Sequence, residues 1–257
     1  MNGKHSANLG TYFFAATLAA LGILGLVAGD FAMVWQDVPK WVPARTVLAY
    51  VCAAFECLAG IGLVFQPTRQ RVAPAVQAFM LAWLLLLRVP QLIASPLVEA
   101  LWLGLGEIAI LLAGALAIGD ASDPWTQRTQ AIAPYLFGLA ILPCGLAHWV
   151  YTGPSIKFMP AFIPMPKFWV LLTGAAYIVA GVAIILKVVD HLAATLTAVM
   201  MGCITLGVWL PMLAARPHDR MPWTGLIIST LLWAGACVVA QSLSGRKWIA
   251  GPWDKPA

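Results

Sequence analysis

Eight apolar stretches of membrane-crossing length, joined by links too short to hold a domain, leave this chain one kind of fold. A helix of about 20 apolar residues crosses the hydrocarbon layer. Stretches of that order run over 9–35, 45–65, 72–89, 99–118, 131–151, 168–187, 192–215 and 223–243. Links such as QPTRQR (66–71) and KVVDH (187–191) force neighbouring spans to run antiparallel and pack side by side. The expected fold is therefore all-α: a polytopic membrane protein with eight transmembrane helices, set as two tandem four-helix bundles in parallel orientation. The first span follows Lys4 and His5 as the core of a secretory signal would, but its length predicts a retained helix.

The pairing into two bundles rests on an internal repeat. Pro39 and Pro43 return as Pro160 and Pro164, each 121 residues later, within VPKWVP and MPAFIP. The same offset joins Ala59-Gly60 to Ala180-Gly181, Pro90 to Pro211, Pro96 to Pro217 and Trp102 to Trp223. The fourth and eighth spans align best: Trp102, Gly104, Leu105, Leu111, Ala113, Gly114 and Ala115 match Trp223, Gly225, Leu226, Leu232, Ala234, Gly235 and Ala236. The polar link GDASDPWTQRTQ (119–130) divides the copies, giving one unit over 1–120 and a second over 121–257. Four spans per copy bring both copies in from the same side, so the axis relating them runs along the membrane normal.

Only 10% of residues are charged, against about a quarter in soluble domains, so the partner that composition implies is the lipid bilayer. Twelve Trp agree, since indoles gather at membrane interfaces. The net charge of +5 is scattered through loops and tails, which gives no nucleic-acid surface and suits loops lying on anionic lipid. Eight Lys and Arg fall on the N-terminal side and seven on the other, and this small excess puts both termini in the cytoplasm. The five cysteines lie in apolar stretches with no CxxC, and the four histidines have no metal spacing, so no metal is expected. Gly25-x-x-x-Gly29 and the Ala-Gly pairs read as close helix contacts. The proline-rich connections 36–45 and 152–167 cannot be regular helix through their prolines. With Trp35, Trp41, Phe158 and Phe162 they are expected to lie in the interface as lids.

Four ionisable residues stand where hydrocarbon belongs. At 1.5 Å per residue, Asp30 lies about 7 Å and Glu107 about 9 Å inside the outer face, while Glu56 lies about 16 Å from Arg45, near the midplane. Arg88 closes the third span on that outer face. An ionised carboxylate at mid-bilayer costs on the order of 3 kcal/mol, so these groups are expected to point inward and pair with Arg88, or to stay protonated. At the 121 offset their counterparts are Tyr151, Tyr177, Trp209 and Ile228, none of them charged. That loss favours a functional site in the first copy, formed by Asp30, Glu56, Arg88 and Glu107, with His148 and Tyr177 as secondary candidates. A buried network that fixes helix register is the competing account.

The motifs GDFAMVW (29–35), VPKWVP (38–43), LLLLRVP (84–90) and WLGLGEIAILLAG (102–114) resemble the DoxX-like membrane proteins, whose units have four spans. The second half, from GLAHWVYTGP (145–154) through PAFIPMPKFW (160–169), is similar to a companion unit. The resemblance covers nearly the whole chain and implies the inner membrane of a bacterium, quinone as cofactor and a redox protein as partner. Members of the wider family are linked to thiosulfate oxidation feeding quinone and to membrane redox complexes. This chain departs by its fusion and by having no paired thiol, so no sulfur activity is carried over. Three functions remain open at this stage: a quinone-linked redox subunit, a transporter of protons or a small solute, and a non-catalytic anchor for a soluble enzyme.

Overall fold

A computed structural model describes residues 3–119 and 123–249, and among these the regular structure is helical throughout. Eight helices are long and apolar enough to cross a membrane: α1 Leu9–Ala28, α2 Arg45–Val64, α3 Gln66–Ala94, α4 Glu99–Ala117, α5 Pro124–Val150, α6 Pro166–Ile185, α7 Asp190–Ala215 and α8 Arg220–Ser242. The all-α, polytopic membrane fold follows from these spans. Large apolar side chains cover the outside, among them Val27, Leu86, Ile93 and Val179, as lipid contact requires.

Several span boundaries differ from the sequence expectation, among them the start of α5 at Pro124 and not at 131, and three have a clear local reason. First, α1 stops at Ala28 because Gly29 takes a left-handed φ of +62° and closes the helix by donating its N–H to the Gly25 carbonyl at 2.9 Å. Asp30 thus lies in the connection, beyond the span. Second, α3 starts at Gln66, and the polar run read as a link is its first turn. Pro67 stands where no N–H is needed. Thr68 Oγ1 donates to the Gly62 carbonyl at 2.5 Å, and Arg69 donates to the carbonyls of Leu63 at 2.8 Å and Val64 at 3.1 Å, closing the end of α2. Third, α3 continues past Pro90 to Ala94. The turn before the proline widens to π-helix over Leu84–Arg88, with the Val89 N–H bonded to the Leu84 carbonyl, which relieves the proline's clash and its missing donor. A π-turn over Thr205–Trp209 carries α7 past Pro211 in the same way.

Other backbone features also stand 121 residues apart. Ala44 and Met165, immediately before α2 and α6, have φ of 53° and 52°. Trp102 Nε1 donates to the Pro96 carbonyl at 2.9 Å and Trp223 Nε1 to that of Pro217 at 2.8 Å. The packing nonetheless joins the halves tightly. Neighbours follow chain order from α1 to α8, α8 closes back on α1, and α4 crosses the middle to meet α8. Accordingly, of an 18-residue apolar stretch in each span, 61% is buried in α4 and 56% in α8, against 22–33% in α1, α2, α3, α6 and α7. One hydrophobic cluster runs through Phe14 and Leu18 of α1, Ile110 of α4, Ile141 of α5, Ile184 of α6 and Leu231 of α8.

The central crossing depends on two glycines. A Cβ at Gly114 would stand 2.7 Å from the Gly235 Cα, so the backbones touch where apolar helices have only van der Waals contact to hold them. Gly114→Val is therefore expected to lower stability by about 1–3 kcal/mol through overpacking. Gly153→Ala, at a glycine with nothing within 4 Å of the added carbon, is expected to leave it unchanged. Thermal unfolding in detergent followed by tryptophan fluorescence checks both.

Candidate functional site

The connection from Gly29 to Ala44 folds inward, and its backbone polar groups are met by side chains. Asp30 Oδ1 accepts the Phe31 N–H at 2.8 Å, and the carboxylate pairs with Arg45 and, at 3.6 Å, with Arg220 of α8. Arg220 also donates to the Phe31 carbonyl at 2.6 Å and the Asp30 carbonyl at 3.1 Å. Further along, Arg88 Nη2 donates to the carbonyls of Val34 at 3.0 Å and Trp35 at 2.7 Å. Val34 sits at φ 71°, a conformation that β-branched residues avoid, and the guanidinium on its carbonyl helps hold it there. Arg88 is only 7% exposed and lies against Gly104, where a Cβ would stand 3.1 Å from its Cζ.

The candidate residues divide among different tasks. The Asp30 side chain is 36% exposed at the rim and anchors the connection to both halves. Arg88, expected to pair with the acids, is taken up by loop carbonyls, because peptide groups carried this deep have no water to bond. Glu56, 2% exposed, accepts instead from Gln36 Nε2 at 2.5 Å. Gln36 is fixed in turn: its N–H meets the Ala32 carbonyl, and its Oε1 accepts the Ala32 N–H, each at 2.9 Å. Trp35 does not lie in the interface; it is 8% exposed and turns its indole toward Glu107. Trp41 and Phe162 are exposed, whereas 152–158, expected to be irregular, forms a short helix Thr152–Phe158 with Pro154 near its start.

Glu107 borders two cavities. The first, about 10 Å³, has room for one water molecule and is bounded by Trp35, Gln36, Glu56, Met80, Trp83, Glu107, Ile108, Leu111 and Ile228. The second, about 310 Å³, lies between the halves and is lined by Glu107, Cys144, His148, Tyr151, Phe158, Tyr177, Met201, Ile204, Ser229 and Leu232 among others. Met80 and Met201, Trp83 and Ile204, Ile108 and Ser229, Leu111 and Leu232, and Glu56 and Tyr177 take matching places, each pair 121 apart. The first cavity is filled by Trp35, Gln36 and Trp83, while the second stays open.

In the lining that Glu107 shares, His148 Nδ1 meets the Cys144 carbonyl at 2.7 Å. A carbonyl only accepts, so Nδ1 carries the hydrogen and Nε2 is the acceptor of the neutral ring. The His148 ring centre stands 5.5 Å from that of Tyr177, itself 6% exposed. The Tyr151 hydroxyl accepts the Ala100 N–H at 3.1 Å, tying the mouth of the cavity to the start of α4. Trp209, at the position 121 after Arg88, lies over Gly225 as Arg88 lies over Gly104, and its ring centre is 6.1 Å from Trp35 and 6.2 Å from Phe158. An indole thus fills in one half the place a guanidinium fills in the other.

Glu107, His148 and Tyr177 therefore share the open cavity; Glu56 is behind it in the filled one; Arg88 holds the roof; Asp30 is outside. The sequence reading missed Gln36 and Arg220. Nothing in the sequence singles out Gln36 within its connection, and Arg220 reads as one more loop cation until α8 is seen to start there. No family model matches the chain, and no curated protein or solved structure is found to be similar to it.

The Asp30 carboxyl, outside the spans, feels burial that raises its pKa, but the Arg45 hydrogen bond, the Phe31 N–H and the charges of Arg45 and Arg220 prevail and hold it below the ordinary value. A depressed folded pKa gives stability that is present above the unfolded value of about 3.9 and is lost as pH falls through the folded one. Asp30→Asn is expected to lower stability at pH 7 by no more than about 1 kcal/mol for so exposed a pair. The gap from wild type should narrow as pH falls below about 3.9 and close only below the depressed folded pKa, as read by unfolding curves across that range.

Proposed function

We propose that this integral membrane protein binds the ring of a membrane quinone in the cavity between its halves and acts as a quinone-linked subunit of a membrane redox system. The observation that carries the reading is a 310 Å³ cavity whose lining brings Glu107 together with His148 and Tyr177. That volume is at the lower end of the range for small-ligand pockets, about 300–1,000 Å³, and the lining is mostly apolar with a few convergent polar groups. The resemblance of GDFAMVW, LLLLRVP and WLGLGEIAILLAG to DoxX-like proteins supports the same chemistry.

Oxidation of a quinol releases two protons and two electrons. In this reading the Glu107 carboxylate takes one proton, His148 Nε2 takes the other, and both electrons pass to a redox partner protein. The Tyr177 hydroxyl donates a hydrogen bond to a ring oxygen. The filled cavity behind Glu107 gives it a second carboxyl neighbour, Glu56, through which a proton can be shared. That same succession of acids in depth is the one feature favouring the alternative of proton transport.

Titrating purified protein with a short-chain quinone is expected to quench tryptophan fluorescence saturably, since Trp35 and Trp209 flank the site. Glu107→Gln and His148→Leu are each expected to slow quinol-dependent reduction of an electron acceptor in native membranes by about 100-fold, the usual weight of one positioned proton acceptor. Absence of saturable quenching, with unchanged rates in both variants, refutes the reading. Proton flux through the protein in liposomes without quinone favours transport instead.

A further inference from the structure

At the opposite end of the bundle from the Glu107 cavity, a separate groove of about 530 Å³ opens between α7 and α8. Its lining changes character along its length. At the membrane surface it is bounded by His191, Gln241 and Trp248, and deeper by Gly202, Leu206 and Trp233. From His191 to Leu206 at 1.5 Å per residue is about 22 Å of helix. The groove therefore runs from headgroup level past the middle of a hydrocarbon layer about 30 Å thick. An apolar slot of that depth with a polar mouth has the division of a lipid molecule.

Among the described residues, the mouth holds polar groups without a full set of partners. His191 is 6% exposed and its Nδ1 is buried without a hydrogen bond, although almost all buried polar atoms have one. Its ring packs against Trp248 at a tilt of 31°, with centres 4.1 Å apart, which fixes the orientation of the imidazole. Gln241 uses Oε1 to accept the Gly10 N–H at 2.9 Å, leaving its amide hydrogens as donors. The charge is also suited to one class of lipid. Asp190 is satisfied by Arg246, and the neighbouring Lys247 adds a further positive charge in a segment, LSGRKWI (243–249), that contains no acid. Basic residues at this level attract anionic headgroups.

We propose that this groove is a binding site for one anionic phospholipid, an acyl chain lying between α7 and α8 and the phosphate held at His191, Gln241 and Lys247. The site is independent of the quinone reading, because it shares no residue with the Glu107 cavity.

Native mass spectrometry of the intact protein, exchanged into micelles with equal phosphatidylglycerol and phosphatidylcholine, tests it. Wild type is expected to retain one phosphatidylglycerol with at least tenfold preference. Cys203→Trp, which places an indole in the groove from an exposed position lining it, is expected to abolish retention. His191→Phe and Lys247→Ala are expected to remove the preference and leave the protein folded. Equal retention of both lipids by wild type overturns the proposal whatever the variants do, and so does undiminished phosphatidylglycerol on folded Cys203→Trp protein.

Discussion

A peptide group in hydrocarbon has no water to bond, and leaving it unpaired costs several kcal/mol. Irregular backbone can enter the membrane only where protein groups meet it, and the connection after α1 obeys that constraint residue by residue. Arg220 holds the carbonyls at Asp30 and Phe31, Arg88 holds those at Val34 and Trp35, and Gln36 holds the N–H of Ala32. Two of these residues belong to other helices and one to the other half of the chain. The inward fold of the loop, the burial of Trp35 and the filling of the first cavity all follow from their being in place.

Side chains 121 residues apart serve opposite ends in the two cavities. In the first, Trp35, Gln36 and Trp83 close around Glu56 and leave room for one water molecule. In the second, Tyr177 stands where Glu56 does and Ile204 where Trp83 does, and the space remains open. The exchange of Arg88 for Trp209 belongs with this difference. The arginine binds two loop carbonyls of the first connection; the indole has a single N–H in place of the guanidinium's fork, and the Thr152–Phe158 helix of the second stays at the cavity mouth. Glu107 reaches across from the central helix and gives the open cavity an acid that its own half lacks.

Much of this was legible in the sequence because hydrophobic length is nearly all that a membrane span needs. The eight spans, the offset of 121 and the unusual polar residues could all be read from residue types and spacing. What could not be read was set by backbone adjustments and by competition among partners. Pro90 read as a helix end, yet a π-turn before it lets the helix continue, as another does before Pro211. Arg69 read as a loop cation, yet it closes the last turn of α2. Arg88 read as the counter-ion of the acids, but carbonyl oxygens of an inward loop compete for the same guanidinium. The open room lies in the second half, beside the residues read as secondary, because cavity volume depends on which side chains fill a shared backbone and not on which are charged.

The account turns on Glu107 being reachable through the open cavity while Glu56 is sealed behind Trp35 and Gln36. Treating the protein in membranes with a lipid-soluble carbodiimide and mapping modified carboxyls by peptide mass spectrometry measures this difference directly. The account predicts rapid modification at Glu107, slowed by added quinone, with Glu56 untouched until the connection is loosened. Modification of Glu56 at an equal or greater rate, or none at Glu107, would contradict it.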